Sequence, residues 1–507
     1  MATPLQKTES GNILKLEVFS NKVNGSKDLS PGVVVCDYFE SILEPTVRFS
    51  IVIVDTGHEN GGGQSTKSAI HELKLSGSEK VHLTIEDIDK NRLKFEGDNA
   101  LYISEIRNIV SSSDKTVYIL DLVSREFIAN DLLACEVYRR YDGKISDSAS
   151  SILKDILKTR KDIIIDETAN KYNFIGQGKK PFRLLAEIAS KGVPASSSNT
   201  AGYLIYESYA GYNFRSIDSL FNEDPYKSYI YNSSTELPNG YNGKIIEYDA
   251  DNAINVEKNL QSGAYGAKLE TVNTYTHIFE TKTQEVTTDG QKTHGGTEAP
   301  KLGMDFDGFS IEGSLLSKRF TKFNSVGELP EGSVSEQIEK STDPNLKLED
   351  VICQASMTYN KLFTLDVTVV VPGDYSLRAG YLVHCDFPEQ SSKSESTIDK
   401  EMSGVYVISD ICTHLTSKTT LTKMRLVRDS HGRTANKTSA SGATGSQQNE
   451  DEVAALSSKS TNSNSTPKDE GTTIDRTTKT SNPNYTQDVR SRDISARASF
   501  DPRFDRR

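Results

Sequence analysis

The chain has 507 residues, 35% of them hydrophobic and 26% charged, with a formal net charge of −12. That length calls for more than one domain, and that composition fits a soluble globular protein with substantial polar loops. The acidic balance argues against nucleic-acid affinity driven by counterion release, which needs a basic face.

Trp is absent while Tyr and Phe number 22 and 18, so aromatic burial falls on side chains common in strands. The five cysteines, Cys36, Cys135, Cys353, Cys385 and Cys412, are scattered and never form Cys-x-x-Cys. An odd, dispersed set predicts buried free thiols rather than a disulfide framework or a cysteine metal site. There is no N-terminal apolar run of signal-peptide type and no stretch approaching 18 apolar residues. The expectation is synthesis and folding in a cytoplasm, without stable membrane insertion.

The N-terminal third alternates. Val47, Phe49, Ile51 and Ile53 share one face of a strand opposite Arg48 and Ser50, and Val81, Leu83 and Ile85 repeat the pattern. Ile13–Phe19, Leu101–Ile106 and Val117–Leu122 also read as strands. Gly61-Gly62-Gly63 lies in a polar stretch and reads as a loop tip. No Lys-Ser/Thr closes it in a phosphate-cradling register. Several short strands predict a small barrel or sandwich ending near residue 125.

Helical signals follow. Ser146 is placed to cap a helix whose face carries Ala149, Ile152, Leu153, Ile156 and Leu157. Pro181 opens a second helix faced by Phe182, Leu185 and Ala189, and Gly192 is its expected stop. From Gly202 to Tyr231 strands return, with Tyr203–Tyr206 and Tyr212–Phe214 flanking a turn at Gly211. The stretch 264–286 is compatible with strands or an amphipathic helix, and its Thr, Tyr and Val content favours strands. Residues 287–304, rich in Gly, Thr and Lys, read as a loop.

A second strand block runs from Thr364 to Val427. Phe363, Leu365, Val367, Val369 and Val371 alternate into the turn signal Pro372-Gly373-Asp374. Leu382–Cys385, Val405–Ile408 and the face Thr422, Met424, Leu426 continue it. Beyond about Gly432, Ser, Thr, Asn, Lys, Asp and Gly dominate. Such a segment cannot bury enough surface to offset its ordering entropy, and is expected to be disordered alone or extended along a partner. Its last 20 residues set Phe500 and Phe504 among Arg and Asp, which suits a peptide laid on another subunit and equally a solvated tail.

No reactive constellation emerges. The eight histidines, His58, His71, His82, His277, His294, His384, His414 and His431, form neither His-Glu-x-x-His nor His-x-His. With 71 acidic residues, carboxylate pairs of glycosidase type are uninformative. Asp121, Glu126 and Asp131 near a strand end read as solvating and capping groups. No Gly-x-Ser-x-Gly elbow or catalytic cysteine signature is present. The residues therefore nominate no catalytic, cofactor-binding or metal site, no cofactor and no enzyme.

Taken as a set, Ser124-Arg125-Glu126, Tyr141-Asp142-Gly143-Lys144-Ile145-Ser146, Lys180-Pro181-Phe182, Phe214-Arg215-Ser216-Ile217-Asp218, Leu377-Arg378-Ala379-Gly380 and Ser403-Gly404-Val405-Tyr406-Val407 resemble the central baseplate hub proteins of contractile-tailed bacteriophages, of the T-even-like type found in cyanophages. The resemblance spans most of residues 10–430. It implies an α+β, mainly β chain with two tube-protein-like β-barrel domains, a small helix-containing domain and a disordered or extended C-terminal tail. The implied division is 1–128, first barrel; 129–200, helix-containing connector; 201–245 with 351–430, second barrel; 246–350, insertion; and 431–507, low-complexity tail. It implies a homotrimeric, non-enzymatic virion protein that adapts the hexameric tail tube to the trimeric central spike. Implied partners are tube rings, spike and other baseplate (wedge) proteins, with DNA passing transiently and without specific binding. The rival readings are a tail-associated cell-wall hydrolase and an adhesin-type tail protein.

Overall fold

The computed structural model describes residues 10–56, 67–196, 200–232, 236–252, 255–273, 279–285, 293–296, 316–324, 348–389 and 398–433, with a few isolated residues between. Within these the chain is mainly β with a minority of helix. The Gly61–Gly63 loop, His58, His277, most of 287–304 and the C-terminal segment from residue 434 lie outside the described residues.

Period-two alternation builds the first block: β1 (Asn12–Phe19), β2 (Ser26–Asp28), β3 (Val33–Ser41), β4 (Arg48–Asp55), β5 (Lys80–Glu86), β6 (Arg92–Phe95), β7 (Leu101–Ser111) and β8 (Thr116–Ser124), with one turn of helix, α1 (Ala69–Glu72), between β4 and β5. Their inward residues, among them Leu16, Tyr38, Phe49, Ile51, Leu83, Phe95, Leu120 and Leu122, enclose one core. Tyr38 stacks on Phe49, and Phe95 meets Phe49 edge-on at 5.0 Å.

The connecting segment carries α2 (Arg125–Asn130), β9 (Arg140–Tyr141), α3 (Ile145–Ser151), β10 (Ile163–Ile165), β11 (Phe174–Ile175) and α4 (Pro181–Ala189). Pro181 opens α4 at a position where a missing N–H costs nothing. Three sequence expectations are corrected. Ser146 is not a cap: α3 starts at Ile145 after Lys144, and Ser146 is buried inside its first turn. The helix continues as a π turn over Ile152–Ile156. Gly192 is not the cap of α4, which ends at Ala189 with Ser190 as its C-cap. Its hydrogen-only α-carbon lets the Tyr203 ring lie where a Cβ would sit, 2.7 Å from Cδ2.

The hairpin of β12 (Tyr203–Ser208) and β13 (Gly211–Ser216) forms as expected, and its Leu204 and Tyr206 pack against Leu382, Val405 and Val407. Ile163–Ile165 of β10 pairs in parallel with Tyr212–Phe214, giving a separate three-stranded sheet. Tyr203, Tyr212 and Phe214 pack with Ile145, Leu153 and Leu185, so the hairpin's other face contributes to the connector's core. The strand reading of 217–222 is also corrected to a helix, α5 (Ile217–Asn222), whose N-cap Ser216 accepts from the Ser219 N–H.

The second block contains β14 (Lys227–Ile230), β15 (Gly243–Lys244) and β16 (Glu247–Asn252), then, after the insertion, β20 (Leu365–Pro372), β21 (Leu382–Asp386), β22 (Gly404–Thr416) and β23 (Thr420–Arg428). Its core gathers Leu365, Val367, Val369, Tyr406, Ile408, Met424 and Leu426. Because β16 pairs with β20, the strand 247–252 belongs to this sheet and the insertion starts after it. The insertion holds α6 (Val256–Ser262) and the strands β17 (Gly266–Asn273), β18 (Phe279–Glu285) and β19 (Lys318–Asn324). They form their own sheet beside α7 (Leu348–Lys361), through Ala267, Leu269, Phe320 and Met357.

The two blocks are not separate sheets. One edge of β22 pairs with β21 over 404–407 and then with β3 over 410–416. At 13 residues it is long enough, about 43 Å at ~3.3 Å per residue, to serve both blocks. All 15 strands of the two blocks thus join one hydrogen-bonded network.

Candidate functional site: a polar sheet face with two free edges

Within that network one path is purely antiparallel: β16-β20-β23-β22-β3-β4-β8-β7, four strands from each block. Both cores lie on the same side of it, since Val369, Met424, Ile411, Tyr38, Phe49 and Leu122 all point that way. The opposite face is set by register. One row across it reads Leu421, His414, Asp37, Ser50, Asp121, Glu105. A second reads Asp249, Thr368, Arg425, Asp410, Ser41.

These two rows are polar and their charges are largely paired, while the rows beside them are mixed: one reads Val35, Val52, Ile119, Arg107 and another Lys423, Cys412, Phe39, Arg48, Val123. Arg425 grips Asp366 through Nε at 2.9 Å and Nη2 at 2.5 Å, and reaches Asp410 at 3.5 Å. Arg107 bonds Asp121 through Nη2 at 3.1 Å, and that hydrogen bond holds the guanidinium above its usual pKa. His414 Nδ1 lies 2.5 Å from Asp37. Carboxylates outnumber cations along these rows, so the face is acidic. Asp121, read from sequence as a solvating group, instead holds Arg107 in place.

The path ends in two strands with open edges. Beyond Tyr102 no strand among the described residues pairs with the outer edge of β7, and Ile109 and Val110 there are 51% and 66% exposed. Likewise no described strand pairs with the outer edge of β16. Unpaired edges of this kind are templates for another strand.

Two buried polar nodes fix the blocks to one another, and a third fixes the first block to the hairpin and connector. Glu40 of β3 accepts the Tyr209 N–H at 2.7 Å and the Ala379 N–H at 2.8 Å, tying first block, hairpin and second block together. Burial pushes its carboxyl above the usual range, against the pull of Arg378. Asp87 accepts the Tyr375 N–H at 3.0 Å, linking the β5–β6 turn to the second block. Glu207 of β12 accepts from Val47 N at 3.1 Å and Ser124 Oγ at 2.6 Å and is paired with Lys161. Glu126, expected at the surface, is 1% exposed and lies 3.6 Å from the same Lys161. Asp131 is half of an exposed pair with Lys180.

Among the described residues no group of His, Cys, Asp and Glu is arranged to hold a metal ion. Cys36, Cys385 and Cys412 are buried free thiols, raised in pKa by burial, and Cys135 is half-buried. The described histidines are dispersed; His82 and His384 lie in β5 and β21 as read. The polar nodes were not visible in the sequence, because their hydrogen-bonded members are 46 to 339 residues apart.

No family model matches the chain, and no curated protein matches it. Among solved structures the chain is similar to a tail protein from Neisseria meningitidis MC58, at 12% identity and a TM-score of 0.44, over 82% of this chain and 96% of that one. The 43 kDa tail protein of prophage MuSo2 from Shewanella oneidensis gives 12% and 0.44, over 82% and 98%. The E. coli c3393 protein, a type VI secretion component with structural similarity to the T4 tail proteins gp27 and gp5, gives 8% and 0.40, over 83% and 80%. Likeness at this level does not bear on function.

Proposed function

We propose that the chain is a structural hub of a phage-tail baseplate, in which three copies form a ring that adapts a hexameric tail tube to a trimeric central spike. The observation that carries this reading is the eight-strand antiparallel path, with β16 unpaired on its outer edge at one end and β7 unpaired by any described strand beyond Ile103 at the other. Eight is an even number, so β7 of one copy laid beside β16 of the next continues the antiparallel alternation. A head-to-tail contact of this kind closes into a ring when the rotation fits. Three copies would close twenty-four strands. At ~4.8 Å per strand the backbone ring is about 37 Å across for upright strands, and wider when they tilt.

Each copy presents four strands from each of two blocks, so three chains offer six near-equivalent units to a sixfold tube. True threefold symmetry is kept for the spike. The polar face would line the channel. Its carboxylates repel nucleic-acid phosphates, and Arg425 and Arg107 are engaged by neighbouring acids, so DNA would pass without sticking. Other baseplate proteins would bind the outer surface. The job is mechanical, in the virion, and needs no catalytic step.

Electron microscopy of the full chain with its spike, together with light scattering, tests the reading. A threefold ring with six similar lobes is expected. A particle with no threefold axis, or a ring whose inner wall is not the β16-to-β7 face, would refute it. A zymogram with purified chain should show no clearing of cell wall.

A further inference from the structure

His294, in the loop 293–296 of the insertion, sits between two carboxylates. Its Nε2 is 2.8 Å from Asp218 Oδ1 on α5, and its Nδ1 is 2.9 Å from Asp429 Oδ2, just past the end of β23. The ring stacks on Phe221 at 5.4 Å and is 4% exposed. A neutral imidazole has one N–H and would turn a lone pair on one of the two carboxylates. Only the imidazolium satisfies both.

The backbone closes the same contact. His294 N and Gly295 N donate to Asp429, and Gly296 N donates to Ser430 Oγ at 2.7 Å. The approach is so close that a Cβ on Gly295 would meet Arg428 Cβ at 2.7 Å, and one on Gly296 would meet the His431 carbonyl oxygen at 2.2 Å. Immediately downstream, Arg433, the last described residue, pairs with buried Asp386 at 3.0 and 3.1 Å.

We propose that loop 293–296 is a charge-locked clip by which the insertion holds the root of the C-terminal segment. The clip joins parts of the chain 135 residues apart. It couples the insertion to whatever the C-terminal segment does, independently of the ring reading.

The charged groups around it are few. Asp218 comes from α5, with Asn222 Nδ2 on its second oxygen at 3.1 Å. Asp429 and Arg428 come from the end of β23, the Arg428 guanidinium being turned to the carbonyls of Ser403 and Glu401. Lys361, at the end of α7, acts on Asp429, while burial lowers its own pKa. The two hydrogen bonds outweigh burial and raise His294 to about 9. The clip is therefore at full strength below pH ~6.5 and weakens as pH rises through about 9.

The test uses the full chain. With ¹⁵N-histidine labelling, the His294 signals, identified by their absence in His294→Gln, should show both ring nitrogens protonated at pH 7 and titrate near pH 9. A neutral-imidazole pattern at pH 7 would overturn the proposal. Hydrogen exchange of the peptide spanning 425–433 should be at least about tenfold faster in His294→Gln, as the loss of a charged hydrogen bond implies, with β3 and β4 unchanged. Unchanged exchange at 425–433 would equally overturn it. If β3 and β4 also exchange faster, the variant has unfolded as a whole and the wild-type titration decides.

Discussion

Glu207 shows what a single buried side chain does for this protein. Its carboxylate is 1% exposed and serves Lys161, Ser124 and the Val47 N–H, three groups from three parts of the chain. Replacing it with Ala strands the Lys161 ammonium, itself 4% exposed. Glu126 is still 3.6 Å away and offsets part of that. Breaking a buried pair by removing one partner costs about 3–5 kcal/mol, and the lost backbone acceptor adds to it. Urea unfolding of Glu207→Ala should show a loss near the lower end of that range. A loss under about 1 kcal/mol would mean that Glu126 alone neutralises Lys161. His294 makes the complementary case. A shift from 6.5 to about 9 corresponds to a stabilisation on the order of 3 kcal/mol, present below pH ~6.5 and lost as pH rises through about 9. Denaturant midpoints measured between pH 6 and 10 should fall over that window in the wild type, and much less in His294→Gln.

At the scale of elements, the parallel pairing of β10 with β13 depends on Gly211. Its φ is +127°, and a Cβ there would meet the Asp162 carbonyl oxygen at 2.2 Å. That carbonyl accepts the Tyr212 N–H at 2.9 Å, so strain and a lost ladder bond arrive together. Gly211→Ala should cost about 1–3 kcal/mol in backbone strain alone. Exchange protection should drop first in 163–165 and 211–216, while β4 and β8 keep theirs. The same region shows what local pattern can and cannot reveal. The hairpin at 203–216 is legible because its alternation and its Gly are neighbours in sequence. Its partner strand is not, because Ile163-Ile164-Ile165 is three residues long and carries no period of its own. The helix at Ile217–Asn222 was hidden for a related reason: six residues are too few to display a 3.6-residue repeat. Glu126 was assigned to the surface because an acid after a strand is usually solvated. Only the fold brings Lys161 to it.

At the scale of the molecule, the mainly β character was legible, since Leu365–Val371 and Phe49–Ile53 alternate without help from anything distant. The joining of the blocks was not. β3 meets β22 across 369 to 381 residues of chain, and ladder pairing leaves no mark on either sequence alone. That joining makes the ring proposal testable at its edges. Ile109 and Val110 on β7 are exposed in the single chain, so changing them should leave the fold alone, within about 0.5 kcal/mol. Charges on an edge strand oppose pairing with another strand. Ile109→Lys with Val110→Lys should therefore keep the wild-type denaturation midpoint and circular dichroism while losing assembly, with the light-scattering mass falling from trimer to monomer in the presence of the spike. A matched pair of lysines at Leu132 and Leu133, exposed residues of the connector that belong to neither edge strand, should leave the trimer intact. A trimer that survives the β7 substitutions, or one lost equally with both pairs, would show that the ring, if it forms, does not close through the sheet edges.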